Sequence, residues 1–181
     1  MKNLFLSILF LMISIMTFSQ NTESSTRKLI NDATFTRVNR DWSTFAELKS
    51  GIGETVRFYP IEVIDLKSGE KTKALQLDMQ IKNPTISKTA WVGIEEIEEF
   101  VTFIEKYVIP FLELKYNDRS VEYIFNANEV TLSYLIFERK RRLTIKLNNY
   151  DDDCGCSNYM FWTETQVEKI TGLLEVLKTI K

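Results

Sequence analysis

Both cysteines of the chain lie two residues apart, in Asp151-Asp152-Asp153-Cys154-Gly155-Cys156-Ser157. Thiols at that spacing close only a small ring, so a Cys154–Cys156 disulfide would be strained and quick to exchange. Gly155 eases the backbone turn such a ring needs. The run thus offers a thiol–disulfide exchange site, with Cys154 and Cys156 as its redox residues. Two features oppose fast exchange. The neighbouring aspartates raise the thiol pKa, and the helix start that activates dithiol oxidoreductases is missing. A local staple or a pairing between chains uses the same residues without chemistry. Zinc held by the two thiolates with Asp151 or Asp153 lacks the four-cysteine or cysteine–histidine set of structural sites. The acidic run also lacks the glycine and glutamate positions of a calcium loop.

A second constellation is Glu138-Arg139-Lys140-Arg141-Arg142. Four successive cations can meet phosphate, an anionic lipid surface or an acidic polysaccharide. They fall where the pattern predicts a hairpin turn, and a charged turn is equally well explained by solvation. Nucleic acid is disfavoured as a partner, because the chain carries 23 basic against 25 acidic residues.

The chain contains no histidine. That excludes Ser-His-Asp and Cys-His nucleophiles and histidine-ligated metals. Ser43, Ser87, Ser120, Ser133 and Ser157 therefore have no imidazole to activate them. Gly51-Ile52-Gly53 precedes a strand pattern rather than a helix and fits no phosphate loop. Glu95, Glu96, Glu98 and Glu99 crowd the start of a helix, where they complement its dipole, and face different directions. Trp42, Trp91 and Trp162 read as core side chains rather than sugar-stacking platforms, with Trp91 partly exposed. No catalytic set emerges, and neither a cofactor nor a metal is called for.

The elements that must position these residues follow from length and pattern. The chain has 181 residues, 44% hydrophobic and 27% charged, which suits one ordinary globular domain. Met1-Lys2-Asn3 precedes an apolar run, Leu4 to Phe18, with small residues at Thr17 and Ser19. This is the pattern of a secretory signal peptide over residues 1–19, cleaved after Ser19. The run is short for a membrane span, which needs about 20 apolar residues. The expected product is periplasmic or extracellular, has no transmembrane span, and carries a net charge of −3 from 22 basic and 25 acidic residues.

Residues 20–50 read as a polar N-terminal segment, loose over 20–34, with a short helix around Asp41–Lys49. Residues 51–181 read as a single domain. Thr55–Leu66 and Thr72–Lys82 form a hairpin with one wet face, because Leu75, Leu77, Met79 and Ile81 alternate with Gln76, Asp78 and Gln80. A helix runs from Ile94 to Ile109 and stops or kinks at Pro110. Strands follow at Val121–Ala127, Val130–Glu138 and Arg142–Asn148, with a fourth at Tyr159–Trp162. The middle one is apolar on both faces, as a central strand is. Thr163 and Gln166 then cap a closing helix striped by Val167, Ile170, Leu173, Leu174, Leu177 and Ile180.

The order strand-strand, helix, three or four strands, helix implies an α+β fold. The simplest arrangement is a two-layer sandwich, a mainly antiparallel sheet covered by two amphipathic helices. The expected function is a non-enzymatic binding or interaction module for an unidentified protein or extracellular ligand. A redox accessory using Cys154 and Cys156 is one alternative, and an anion-binding module using Arg139, Lys140, Arg141 and Arg142 is another.

Overall fold

A computed structural model describes residues 23–82, 85–114, 116–148 and 159–180. It is an α+β fold with two antiparallel sheets. Chain order is α1 (Ser25–Asp32), β1 (Thr36–Arg40), β2 (Ala46–Lys49), β3 (Thr55–Asp65), β4 (Lys71–Lys82) and β5 (Thr85–Gly93). Then come α2 (Ile94–Phe103), β6 (Val121–Asn126), β7 (Val130–Phe137), β8 (Lys140–Leu147), β9 (Met160–Thr163) and α3 (Ile170–Thr179).

The first sheet has the order β1-β3-β4-β5, with β2 also pairing with β3. The β3–β4 hairpin is where alternation places it, with Phe58 opposite Leu77 and Val56 opposite Met79. β5 continues the meander after Asn83-Pro84. Its one-sided run, Ala90 and Val92 inward and Thr89 and Trp91 outward, was not read as a strand. Sheet two has the order β6-β7-β8-β9, and β7 is central as expected.

One core receives the inner faces of both sheets and the stripes of α2 and α3. Leu75, Leu77, Leu132, Ile145, Ile104 and Leu173 are all fully buried there. The rings of Phe100 on α2 and Phe125 on β6 stack at 4.6 Å. Burial of such side chains contributes roughly 1.5–3 kcal/mol each. The closing helix starts later than expected: Thr163 ends β9, where its Oγ1 accepts from the Gln166 N–H at 3.3 Å, and a 3-10 turn at Val167–Lys169 leads into Ile170–Thr179 without a side-chain cap on either. The Gln166 side chain does not reach back to close a capping box. Its Oε1 accepts from the Lys49 N–H at 2.9 Å and ties α3 to β2.

At the end of α2 the helix widens into a π turn, Ile104–Val108, and then tightens into a 3-10 turn, Ile109–Phe111. The Ile109 N–H donates to Ile104 O, five residues back. Pro110 can make no such bond, and its ring would crowd the carbonyl four residues earlier. The wide turn removes that conflict, so the expected stop is a change of helix type.

Three expectations for the first half need correction. Residues 20–34 are not loose throughout: Ser25–Asp32 is a helix whose N-cap, Ser24, accepts from the Arg27 N–H at 3.1 Å. No helix occupies Asp41–Lys49. Asp41 instead shapes a bend by accepting from the Ser43 N–H and hydroxyl, and Ala46–Lys49 pairs as β2 with Thr55–Phe58. β2 and β3, on either side of residue 50, are thus neighbouring strands of one sheet.

The face of β4 expected to be wet is covered around Ala74 and Gln76, while Gln80 stays exposed. Gln76 is only 3% exposed, and Tyr59, Ile61, Val63 and Ala74 form a second apolar cluster there under Leu29 and Ile30 of α1. The first sheet thus carries helices on both faces.

Candidate functional site

The cationic run forms the β7–β8 hairpin turn. Glu138 and Arg139 are its two central residues, with φ of 44° and 63°. Both lie in the left-handed region that a two-residue type I′ turn demands and that glycine or asparagine fills more cheaply. The turn is anchored from outside: the Arg139 N–H donates to Tyr116 O at 3.0 Å, and Arg139 Nε to Asn117 Oδ1 at 2.7 Å.

From there strand alternation separates the remaining cations. Arg141 pairs with Glu168 at 2.9 Å. Arg142 lies on the opposite face, where Nε and Nη2 both donate to Glu164 Oε1 at 3.0 and 2.6 Å. Its guanidinium lies 4.8 Å from the Trp162 ring and 5.1 Å from the Phe137 ring. Arg139, Lys140, Arg141 and Arg142 therefore do not converge on one point. Cys154, Cys156, Asp151 and Asp153 lie outside the described residues, as does the segment read as a signal peptide. Among the described residues no group of three potential metal ligands occurs. No helix there is long and apolar enough to cross a membrane.

The outer faces of the two sheets differ sharply. On the first sheet the face is closed by polar as well as apolar contacts. Glu129, fully buried in the β6–β7 turn, accepts from the Ser24 N–H (3.1 Å), Ser24 Oγ (2.6 Å) and the Trp91 N–H (3.1 Å). It also takes Arg27 Nε at 3.0 Å and Nη2 at 2.7 Å. The Arg27 guanidinium lies 4.5 Å from the Trp91 ring. Glu129 thereby fastens α1 to both sheets.

Beside it, Ser25 donates to Glu95 from its N–H and hydroxyl. Glu96 accepts from the Gly93 and Asn128 N–H groups at 3.1 and 2.7 Å. Burial raises the Glu96 pKa, the two backbone donors opposing that rise. A side chain at Gly93 would meet the Glu95 carboxylate, 2.4 Å from where its Cβ would stand.

Beneath α1, Tyr59 donates to Asp78, while Gln76 donates to both at 2.7 and 2.9 Å. Burial, then the Asp78 carboxylate, raises the Tyr59 pKa. Trp42 stacks over Tyr59 at 4.9 Å. These groups answer one another and leave nothing directed at a ligand.

The outer face of the second sheet has no helix over it. Alternation and register place Glu122, Leu135 and Arg142 in one row, and Ile124, Ser133, Thr144 and Trp162 in the next. A third row holds Asn126, Thr131, Lys146 and Met160. The short side chains of β7 and β8 leave an open trough of about 400 Å³ between Ile124 on one edge and Trp162 and Met160 on the other. Ile124 is 53% exposed, Met160 41% and Trp162 37%. Trp162 was expected in the core, and so was Trp42, at 66% exposed. Trp162 points outward because Phe161 and Thr163 supply the inward positions, while Trp42 sits in an exposed bend against the Tyr59 ring.

A larger groove, about 620 Å³, runs between α2 and α3. It is a weaker candidate. Its floor residues Ile97, Leu177 and Ile180 are already buried, and the Lys178–Glu105 ion pair bridges the two helices at 2.9 Å.

The trough was missed because its floor residues, Thr131, Ser133 and Thr144, look like ordinary strand fillers. The available signal was Trp162 flanked by Met160 in a run whose alternate residues, Phe161 and Thr163, already filled the core side. The chain matches no protein-family model and no curated protein.

Proposed function

We propose that this chain is an exported, non-enzymatic binding module, and that it binds through the outer face of the β6–β9 sheet. One observation carries the reading. Ile124, Met160 and Trp162 share an open face, whereas the equivalent face of the first sheet is sealed by α1. Exposed apolar side chains on both edges of a hydroxyl-floored trough make a mixed surface of the kind that binds a partner. The lack of histidine, and the Glu129 and Asp78 carboxylates being taken up by internal donors, support binding over turnover. In architecture, the reading is a two-layer α+β sandwich to which α1 adds a cover on one sheet only.

Oxidative footprinting tests the site. Met160 and Trp162 are expected to lose reactivity when the purified chain is mixed with the extracellular and envelope fractions of its source. Protection confined to other surfaces overturns the assignment. A turnover assay on a broad hydrolase panel tests the rest, and activity abolished by a single substitution would replace binding with catalysis. Recovery of a chain beginning at Gln20 outside the cytoplasm is the expected outcome for export; recovery only in the cytoplasm removes it.

A further inference from the structure

We infer that the ligand of this face is an acidic polysaccharide, held along β8 by cations and against β9 by the Trp162 ring. The inference rests on the reading of the face as the binding surface and adds its chemistry. β8 presents Lys140, Arg142 and Lys146 on the outer face, because residues separated by even numbers share a side of a strand. At about 3.4 Å per residue the outer two cations stand about 20 Å apart, a row suited to an extended polyanion rather than a single phosphate. Among the described residues neither Lys140 nor Lys146 is ion-paired.

Arg142 is held in place by Glu164 and by the rings of Trp162 and Phe137, so its charge is largely answered; with Glu122 on the same face, the cations the row offers a polyanion are Lys140 and Lys146. Beside this row the register sets hydroxyls on one flank: Ser133 lies opposite Thr144, and Thr131 opposite Lys146. On the other flank stand Trp162, opposite Thr144, and Met160, opposite Lys146. Cations, hydroxyls and an aromatic ring side by side match the three surfaces of a charged sugar: its acid group, its hydroxyls and its C–H face. The trough is open, which lets a chain pass through instead of enclosing a small molecule. Arg139 and Arg141, turned to Asn117 and Glu168, lie outside the site.

Binding of polygalacturonate and of dextran sulfate is compared with binding of methyl-esterified polygalacturonate and neutral dextran, by affinity electrophoresis and calorimetry. The expected result is binding of at least one acidic polymer, clearly weaker binding of its neutral partner, and weakening as salt rises. A Lys140→Gln/Lys146→Gln variant is expected to lose tenfold or more. Trp162→Ala is expected to lose several-fold. Lys67→Gln/Lys71→Gln, on the hairpin of the other sheet, should match the unaltered chain. Thermal melting of each variant shows whether the fold is retained.

Failure of both acidic polymers overturns the inference, as does binding indifferent to Lys140 and Lys146. So does tighter binding to phosphatidylglycerol vesicles that survives Trp162→Ala, which would mark a lipid surface. If neither polymer binds while Met160 and Trp162 are still protected in the footprint, the polysaccharide falls and the binding face stands. If the footprint is also unchanged, both fall.

Discussion

The two sheets share one core yet treat their outer faces oppositely. On the first, Tyr59, Ile61, Val63 and Ala74 lie under α1 and are at most 3% exposed. On the second, Ile124 stands 53% exposed in the corresponding layer. What separates them is α1, held on one side by the clamp of Arg27 and Ser24 on Glu129 together with the Ser25–Glu95 bonds and the packing of Leu29 and Ile30. A face that had to be hidden was hidden with a helix and a buried ion pair. The face left bare mixes the exposed Ile124, Met160 and Trp162 with Thr131, Ser133 and Thr144.

The clamp is the first place to break that comparison. In Glu129→Ala, Arg27 loses its carboxylate and the Ser24 and Trp91 N–H groups lose their acceptor. A buried pair broken on one side costs about 3–5 kcal/mol. Chemical denaturation should show a loss of that size, and hydrogen exchange should show Ser25–Asp32 losing protection before β6–β9 does. Unchanged protection of α1 would mean that Leu29 and Ile30 suffice to hold it.

The same truncation on the two faces gives a sharper contrast. Ile61→Ala leaves a cavity under α1 and should cost roughly 2–5 kcal/mol. Ile124→Ala removes a side chain already half in water and should cost under about 1 kcal/mol. Equal losses in paired unfolding curves would show that the outer face of the second sheet is covered in solution.

The β7–β8 turn allows a gain. Replacing Glu138-Arg139 by Asn-Gly relieves two left-handed non-glycine residues and should stabilise the chain by about 1 kcal/mol, less what the Arg139–Asn117 bond contributes. A lower melting temperature would show that Arg139 holds the 116–117 loop more firmly than the turn strain opposes it.

The smallest effects are electrostatic and of opposite sign. Hydrogen bonds from Ser43 and Thr44 hold the Asp41 pKa down to about 2 against an ordinary 3.8. Its stabilisation is present above pH 3.8 and is lost as pH falls through about 2. Burial instead raises Glu96 above 4.5, so the folded chain binds the extra proton and stability falls as pH rises through that window. Carboxyl titrations by NMR should place Asp41 below and Glu96 above their ordinary values. Glu96→Gln should remove the second slope.

The elements with a strong period were legible in the sequence. Leu75-Gln76-Leu77-Asp78-Met79 reads as a strand with a buried side, and the stripes from Ile94 to Val108 and from Val167 to Ile180 read as helices, although the last one begins at Ile170 rather than at Thr163. What each face meets was not legible. α1 has only Leu29 and Ile30 to bury, too few to show a stripe, and its place depends on Arg27 reaching Glu129 across 102 residues. β5 was hidden because Lys88 shares a side of the strand with Ala90 and Val92 and breaks the apolar alternation. The four cations at 139–142 read as one patch because adjacency in sequence is not adjacency on a strand, where neighbours point to opposite sides.

The sequence by itself determined the α+β class and most element positions, since periodicity is a local property that the backbone imposes on every strand and helix. Only the tertiary structure decided which sheet face is sealed and which is open. That choice rests on contacts between residues far apart in the chain, where one buried carboxylate must find its donors in three dimensions.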